Sequence, residues 1–438
     1  MNKSGFTLIE LMVAMVVGLT AITSVYSLGS AMSQQFFEEQ RTATTQGSSR
    51  AAMMELRRDI SRAGLFGSPA ANLESTCDSI IPVLQKYGGG TSPIGAFQYY
   101  ADTDKSLLNP SENTWVHGDR LRVLTSLYLT DELLVDSISP EGTHIILDNS
   151  NQAYRRTFLW GQTAGPFVGG QEAPDYLDGS LGWDSAWALE TASWKGVGQQ
   201  GARAFQTGSV LHIETPEGRH FFRTSFGKAD NTQNQMRILV DPPLPVGTAC
   251  LPGQGGGSNI APLQWVEYAL VTPSSVSTDF MDFDEVFFLD LESSLTAGAV
   301  GTLREEGNVL LVRRILEPNT GNVRQGTTQV LAEFVADFQV SFLLDTDSGK
   351  AIGPSITDFA SALTGTSDED TINDNPNQVR SVHIDLGIRS PLEDPSIPYS
   401  NSGSISTRFE VNAAEKGSAR VRHMRIEIPV MSVARRNL

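Results

Sequence analysis

From Ser4 to Phe37 the chain carries a single charged residue, Glu10, and 15 of the 22 residues from Leu11 to Met32 are apolar. About 20 such residues span a bilayer as one helix, so whatever follows must fold as a body hung from a membrane-length rod. Lys3 precedes the run and Glu38 and Glu39 are the first charges after it. The positive-inside bias then keeps the N-terminus cytoplasmic and exports the remainder. A secretory signal is the competing reading, because Gly29-Ser30-Ala31 offers small residues for a signal peptidase. Glu10 argues against it, since an ionised carboxylate inside an apolar run costs roughly a few kcal/mol and is normally kept because something pairs with it.

The helix is expected to outlast the apolar run. From Gln34 to Arg62 there is no proline, and Met53, Leu56, Ile60 and Ala63 fall at spacings of three, four and three, on one helical face. Gly64 is the expected stop. An unbroken helix from Phe6 to Ala63 would be about 87 Å long at 1.5 Å per residue. Its first half would lie in membrane or in a filament core, and its second half would pack an apolar stripe against a head. Gly18 and Gly29 are its weak points.

Charge divides the chain at the same place. Residues 1–63 hold six of the 32 basic and five of the 50 acidic side chains, which leaves 26 against 45, a net −19, for the remainder. So acidic a head has no basic face with which to hold a phosphate backbone, and nucleic acid is not an expected partner. Beyond Gly64, short runs of Val, Ile, Leu and Phe alternate with turn clusters, which predicts a β-rich head and an α+β fold class. Strands are expected at 120–127, 143–147, 210–214, 235–240, 265–271, 285–289, 309–315, 337–344, 379–388, 408–411 and 424–430. The glycine runs at 88–90 and 253–257 lack a following Lys-Ser/Thr pair and read as mobile loops, not phosphate cradles.

Little in the head points to catalysis. Six histidines are scattered, with no HExxH pair and no G-x-S-x-G elbow, and neither an enzyme nor a cofactor is expected. His212, Glu214 and His220 come nearest to a ligand set, but a strand-and-turn setting gives them awkward geometry. Asp345 and Asp347, and Asp368 and Asp370 with Asn373, Asp374 and Asn375, are weak calcium candidates. The same residues make good turns without an ion. Trp183, Trp187 and Trp194 share a face by spacing, either as a local core or as a surface that grips a sugar or a partner. Cys77 and Cys250 are either one bridge or two lone thiols; spacing does not choose between them.

Lys3-Ser4-Gly5-Phe6-Thr7-Leu8-Ile9-Glu10 closely resembles the start of type IV pilins, with a short basic leader ending in Gly, then Phe, then Glu at the fifth mature position. The resemblance implies cleavage by a prepilin peptidase between Gly5 and Phe6, N-methylation of Phe6, and docking of Glu10 against the Phe6 amino group of a neighbouring subunit. Such a pair supplies the cation that a Glu in hydrocarbon needs. Major pilins often have proline where this chain has Ser27. Within the family, residues 55–64, 309–314, 330–345 and 379–390 and the Arg435-Arg436-Asn437 tail are similar to PilW-like minor pilins, relatives of the J-type pseudopilins of type II secretion. These chains often place a cysteine just after Ala-Gly; here it comes later, at Cys77. Residues 70–300 match nothing in that pattern.

The organisation implied is a leader at 1–5 and a long helix at 6–64 with its hydrophobic half at 6–33. A variable β-rich region with a Gly/Trp-rich insertion follows at 65–300, and a PilW-like β-rich region at 301–438. The role implied is pilus assembly, with adhesion and twitching as its outputs. Expected partners are other minor pilins, the major pilin, a tip adhesin, prepilin peptidase and the inner-membrane assembly machinery. The chain would begin in the inner membrane with a periplasmic head and end in a pilus at the cell surface. A J-type pseudopilin and a tip binding module are the alternatives.

Overall fold

The computed structural model describes residues 8–64, 96–108, 113, 115–127, 132–148, 150–151, 205, 209–217, 220–225, 237–241, 243–248, 251, 253–272, 308–317, 321–324, 326–344, 372–373, 379–390, 399, 407–410 and 417–430. The protein is α+β: an N-terminal helix followed by a large β-rich head. Helix α1 runs unbroken from Leu8 to Ser61, 54 residues, about 81 Å at the α-helical rise. It passes through Gly18 and Gly29 without interruption. Leu11–Gly29 is long and apolar enough to cross a membrane, with a mean hydropathy of 2.0 and no residue buried by the rest of the chain. Four hydroxyls in this stretch donate to carbonyls one turn back: Thr20 to Val17, Thr23 to Leu19, Ser24 to Thr20 and Ser27 to Ser24. Polar groups satisfied in this way can sit in hydrocarbon without losing a hydrogen bond. At the other end Gly64 adopts φ +66°, the left-handed conformation that ends a helix at least cost in glycine. Its N–H donates to Leu124 O at 3.0 Å, so the chain leaves the helix already bonded to the head.

The head's strands among the described residues are β1 (Phe97–Tyr100), β2 (Arg120–Thr125), β3 (Leu133–Ile138), β4 (His144–Leu147), β5 (Val210–Glu214), β6 (His220–Ser225), β7 (Arg237–Asp241), β8 (Asn259–Val271), β9 (Leu310–Leu316), β10 (Gln329–Ala332), β11 (Val335–Leu344), β12 (Val379–Arg389), β13 (Arg408–Phe409) and β14 (Ala419–Pro429). All pairings between them are antiparallel. The 13-residue β8 organises the larger sheet. Its C-terminal half lies between β2 and β9, in an open sheet ordered β1-β2-β8-β9-β10. Its N-terminal half has β3 on one side and β5 on the other, and the pairings β3-β4-β7-β6-β5 close a ring of six strands. Leu133, Val135, Ile145, Phe205, Ile213, Phe221 and Ile260 belong to the separate core cluster of that ring. Closure removes free strand edges, so a small β unit can stand at one end of the sheet without inviting edge pairing.

The second sheet is ordered β11-β12-β14-β13. It joins the first where Phe338 N–H donates to His117 O at 2.9 Å and Asp119 N–H to Phe338 O at 3.1 Å. The main core lies between these sheets and the end of α1: Ala52, Met53, Leu56, Ile60 and Ala63 pack with Leu121, Val266, Phe338, Ile384 and Ile428. The stripe expected from spacing is therefore the face that α1 buries.

The glycine run at 253–257 differs from the expected mobile loop. Ile138 N–H donates to Gln254 O and Gly257 N–H to Val135 O, which fastens the segment along β3. Trp183, Trp187, Trp194, the glycines at 88–90 and the expected strand at 285–289 lie outside the described residues.

Candidate functional site

Three features bear on function: the start of α1, its clamp into the head, and the acidic and histidine groups of the sheets. Gly5 and Phe6 lie outside the described residues. Glu10 is on the backbone of α1, with its side chain outside the described part. It lies within a stretch of exposed apolar side chains that includes Leu8, Leu11, Met15, Val17, Ile22 and Val25. No described residue covers this rod, and an exposed apolar surface of this length calls for lipid or other helices around it.

The clamp is built on Asp59, which sits on the buried face of α1 between Leu56 and Ile60 and is fully enclosed. Its Oδ2 accepts from Arg313 Nε at 2.6 Å and from Tyr268 Oη at 2.8 Å. Arg58 Nε donates to its Oδ1 at 3.1 Å. Tyr268 on β8 and Arg313 on β9 are direct cross-strand partners, so two adjacent strands offer two donors to one carboxylate. Burial pushes the Tyr268 hydroxyl well above its ordinary pKa, and the neighbouring Asp59 charge adds to the push. Burial works against the Arg313 charge, but Asp59 outweighs it and the guanidinium is held above its usual value.

The opposite face of the same strands carries a second ionic row. Glu267, next to Tyr268 and therefore turned the other way, accepts from Arg122 Nε on β2 at 2.7 Å and from Arg314 Nε on β9 at 2.7 Å. Burial alone would raise the Glu267 pKa; Arg122 and Arg314 overcome it and hold the carboxyl below its ordinary value. The consecutive arginines 313 and 314 thus serve opposite faces of one strand. At the rim, Arg120 binds Asp104 at 2.5 Å, and Asp104 also accepts the Leu270 N–H.

The other sequence candidates separate clearly. His212 and His220 do meet, Nε2 to Nδ1 at 3.0 Å with stacked rings, in a buried cross-strand site on β5 and β6. A neighbouring Phe222 ring packs on His212. Asn373, grouped with the calcium candidates, is engaged with β1: it accepts from Tyr99 N–H at 2.8 Å and donates to Tyr99 O at 3.0 Å. Asp345, Asp347, Asp368, Asp370, Cys77 and Cys250 lie outside the described residues. Asp59 and Arg313 fall in two separate sequence segments, 55–64 and 309–314, and their spacing gives no sign that they form one pair. The available signal was a charged residue directly beside the apolar stripe, which only a buried partner would stabilise.

The family model described as "Prokaryotic N-terminal methylation motif" matches residues 1–26. No curated protein and no solved structure matches the chain. The motif and the single N-terminal apolar helix mark a type IV pilin-like prepilin segment and fit a membrane-anchored chain.

Proposed function

We propose that the protein is a minor type IV pilin of the PilW-like kind, a structural subunit that helps to prime pilus assembly. The observation that carries this is the methylation motif at residues 1–26, which runs into the apolar first half of a continuous helix whose far end is clamped into a β head. In this account the chain inserts in the inner membrane as a prepilin, is cut between Gly5 and Phe6, and is methylated on Phe6. Its head faces the periplasm, and the mature subunit joins other minor pilins and the major pilin near the tip. Glu10 gives register to that step. Extraction of one helix from lipid into a helical bundle leaves its carboxylate in an apolar setting, and the Phe6 ammonium of the adjacent subunit is the matching cation. Support for the PilW-like kind comes from the two resembling segments, 55–64 and 309–314, which meet in the Asp59–Arg313 pair.

The test is Glu10→Ala in the producing cell. Surface piliation should fall to the level of a deletion of the chain, while the variant remains processed and in the membrane. Normal piliation with the variant would contradict the docking role.

A further inference from the structure

On the second sheet, away from the helix clamp, Asp337, Gly387 and His423 form one cross-strand row over β11, β12 and β14. Asp385 lies two residues before Gly387, hence on the same face. The absent side chain at Gly387 lets the outer two approach over the central strand. A Cβ there would stand 2.9 Å from Asp337 Cβ and 3.0 Å from His423 Cε1. Three ligand atoms converge as a result. His423 Nδ1 shares a hydrogen bond of 3.0 Å with Asp385 Oδ1 and stands 3.7 Å from Asp337 Oδ2, and the three lie within 4.8 Å of one another; a metal ion at this place would take over from the proton between His423 and Asp385.

From these placements we infer that Asp337, Asp385 and His423 form a binding site for one divalent transition-metal ion, zinc in the first instance. Metal–ligand bonds of about 2.0 to 2.2 Å at tetrahedral angles separate neighbouring ligand atoms by about 3.3 Å. The two separations at His423 straddle that value. Each carboxylate also has its second oxygen held from outside. Asp337 Oδ1 accepts from His117 backbone N–H at 2.7 Å and lies 3.2 Å from His117 Nδ1, and Asp385 Oδ2 accepts from Arg425 Nε at 2.6 Å. This leaves Asp337 Oδ2 and Asp385 Oδ1 as the oxygens turned toward His423, the arrangement in which outer partners orient metal ligands. The Asp337 side chain is almost wholly buried and its inward oxygen is beyond hydrogen-bond reach of His423. A cation in the site would offset the cost of burying that carboxylate. Trp115 packs edge-on against the His423 ring with centroids 5.5 Å apart and closes one side. Three protein ligands leave a fourth position for water. The ion would tie β11 to β14 across β12, stapling the sheet that α1 packs against.

The experiment uses the full chain in detergent, stripped with EDTA and then titrated with zinc chloride. Calorimetry and elemental analysis should find about one saturable zinc per chain, and the melting temperature should rise with free zinc as mass action requires. His423→Gln and Asp385→Asn should each weaken binding at least tenfold. Cobalt substituted into the unmutated chain should give the strong visible absorption of a low-coordinate site, a readout independent of variant folding. Absence of saturable zinc in the unmutated chain, or binding unchanged in both variants, would overturn the inference.

Discussion

Asp119 shows how far a single position can depart from its ordinary chemistry. It is buried, it accepts from the backbone N–H of Asp102 at 2.9 Å and of Val340 at 2.7 Å, and Tyr99 Oη donates to it at 3.1 Å. Burial nevertheless pushes its pKa up to about 7, with the charges of His117 and Asp102 acting in opposite directions. Between the unfolded value near 3.8 and about 7, the folded chain holds the proton that the unfolded chain has lost. By linkage this residue's share of stability is present below about pH 4, declines as pH rises, and is gone above about pH 7. Asp119→Asn should therefore flatten the fall in melting temperature between pH 5 and pH 8, whatever it costs at a fixed pH. Parallel pH curves for the two proteins would contradict the assignment. None of this was legible in the sequence, where Asp119 follows His117-Gly118 and looks like a turn acid. Its partners come from segments up to 221 residues away.

At the scale of elements, α1 was the most legible part, because a long apolar run and a three-four-three stripe are local signals. Val210–Glu214 was likewise readable, as a compact aliphatic run. The strands that sequence reasoning passed over have physical reasons for being obscure. β6 is buried along its whole length, so it shows no alternation. β3 carries a register shift between Val135 and Ser137, and β10 has four residues and a shift of its own. The clamp between α1 and the head was hidden because its groups are separated by 209 and 254 residues. It also makes the sharpest prediction at this scale. Removing one partner of a buried ion pair costs about 3 to 5 kcal/mol, so Asp59→Ala should destabilise the head by about that amount in urea unfolding. Arg58→Ala removes a half-exposed partner of the same carboxylate, and an exposed pair is worth at most about 1 kcal/mol. Equal effects of the two substitutions would contradict the clamp.

For the whole molecule, the two ends of α1 have different surroundings and different tasks. The first half is an apolar rod that no described residue covers, with four of its hydroxyls satisfied internally, and the second half is built into a core shared by two sheets. The charge division at residue 63 follows the same line, with the net −19 belonging to the head. The six-strand ring on the N-terminal half of β8 occupies the part of the chain that matched no family pattern, and only the pairings reveal it. Sequence could indicate strands there but not closure, since that depends on β8 accepting β3 and β5 on its two edges at once.

The central claim is that this helix enters the membrane as a prepilin and is processed at its leader. Mass analysis of the N-terminal peptide, on protein purified from the membrane of the producing cell, tests it most directly. The account predicts a chain beginning at Phe6 and carrying one added methyl group on its amino nitrogen. A chain that retains Met1, or one that begins near Ala31 as a secretory cut would leave it, would contradict the account.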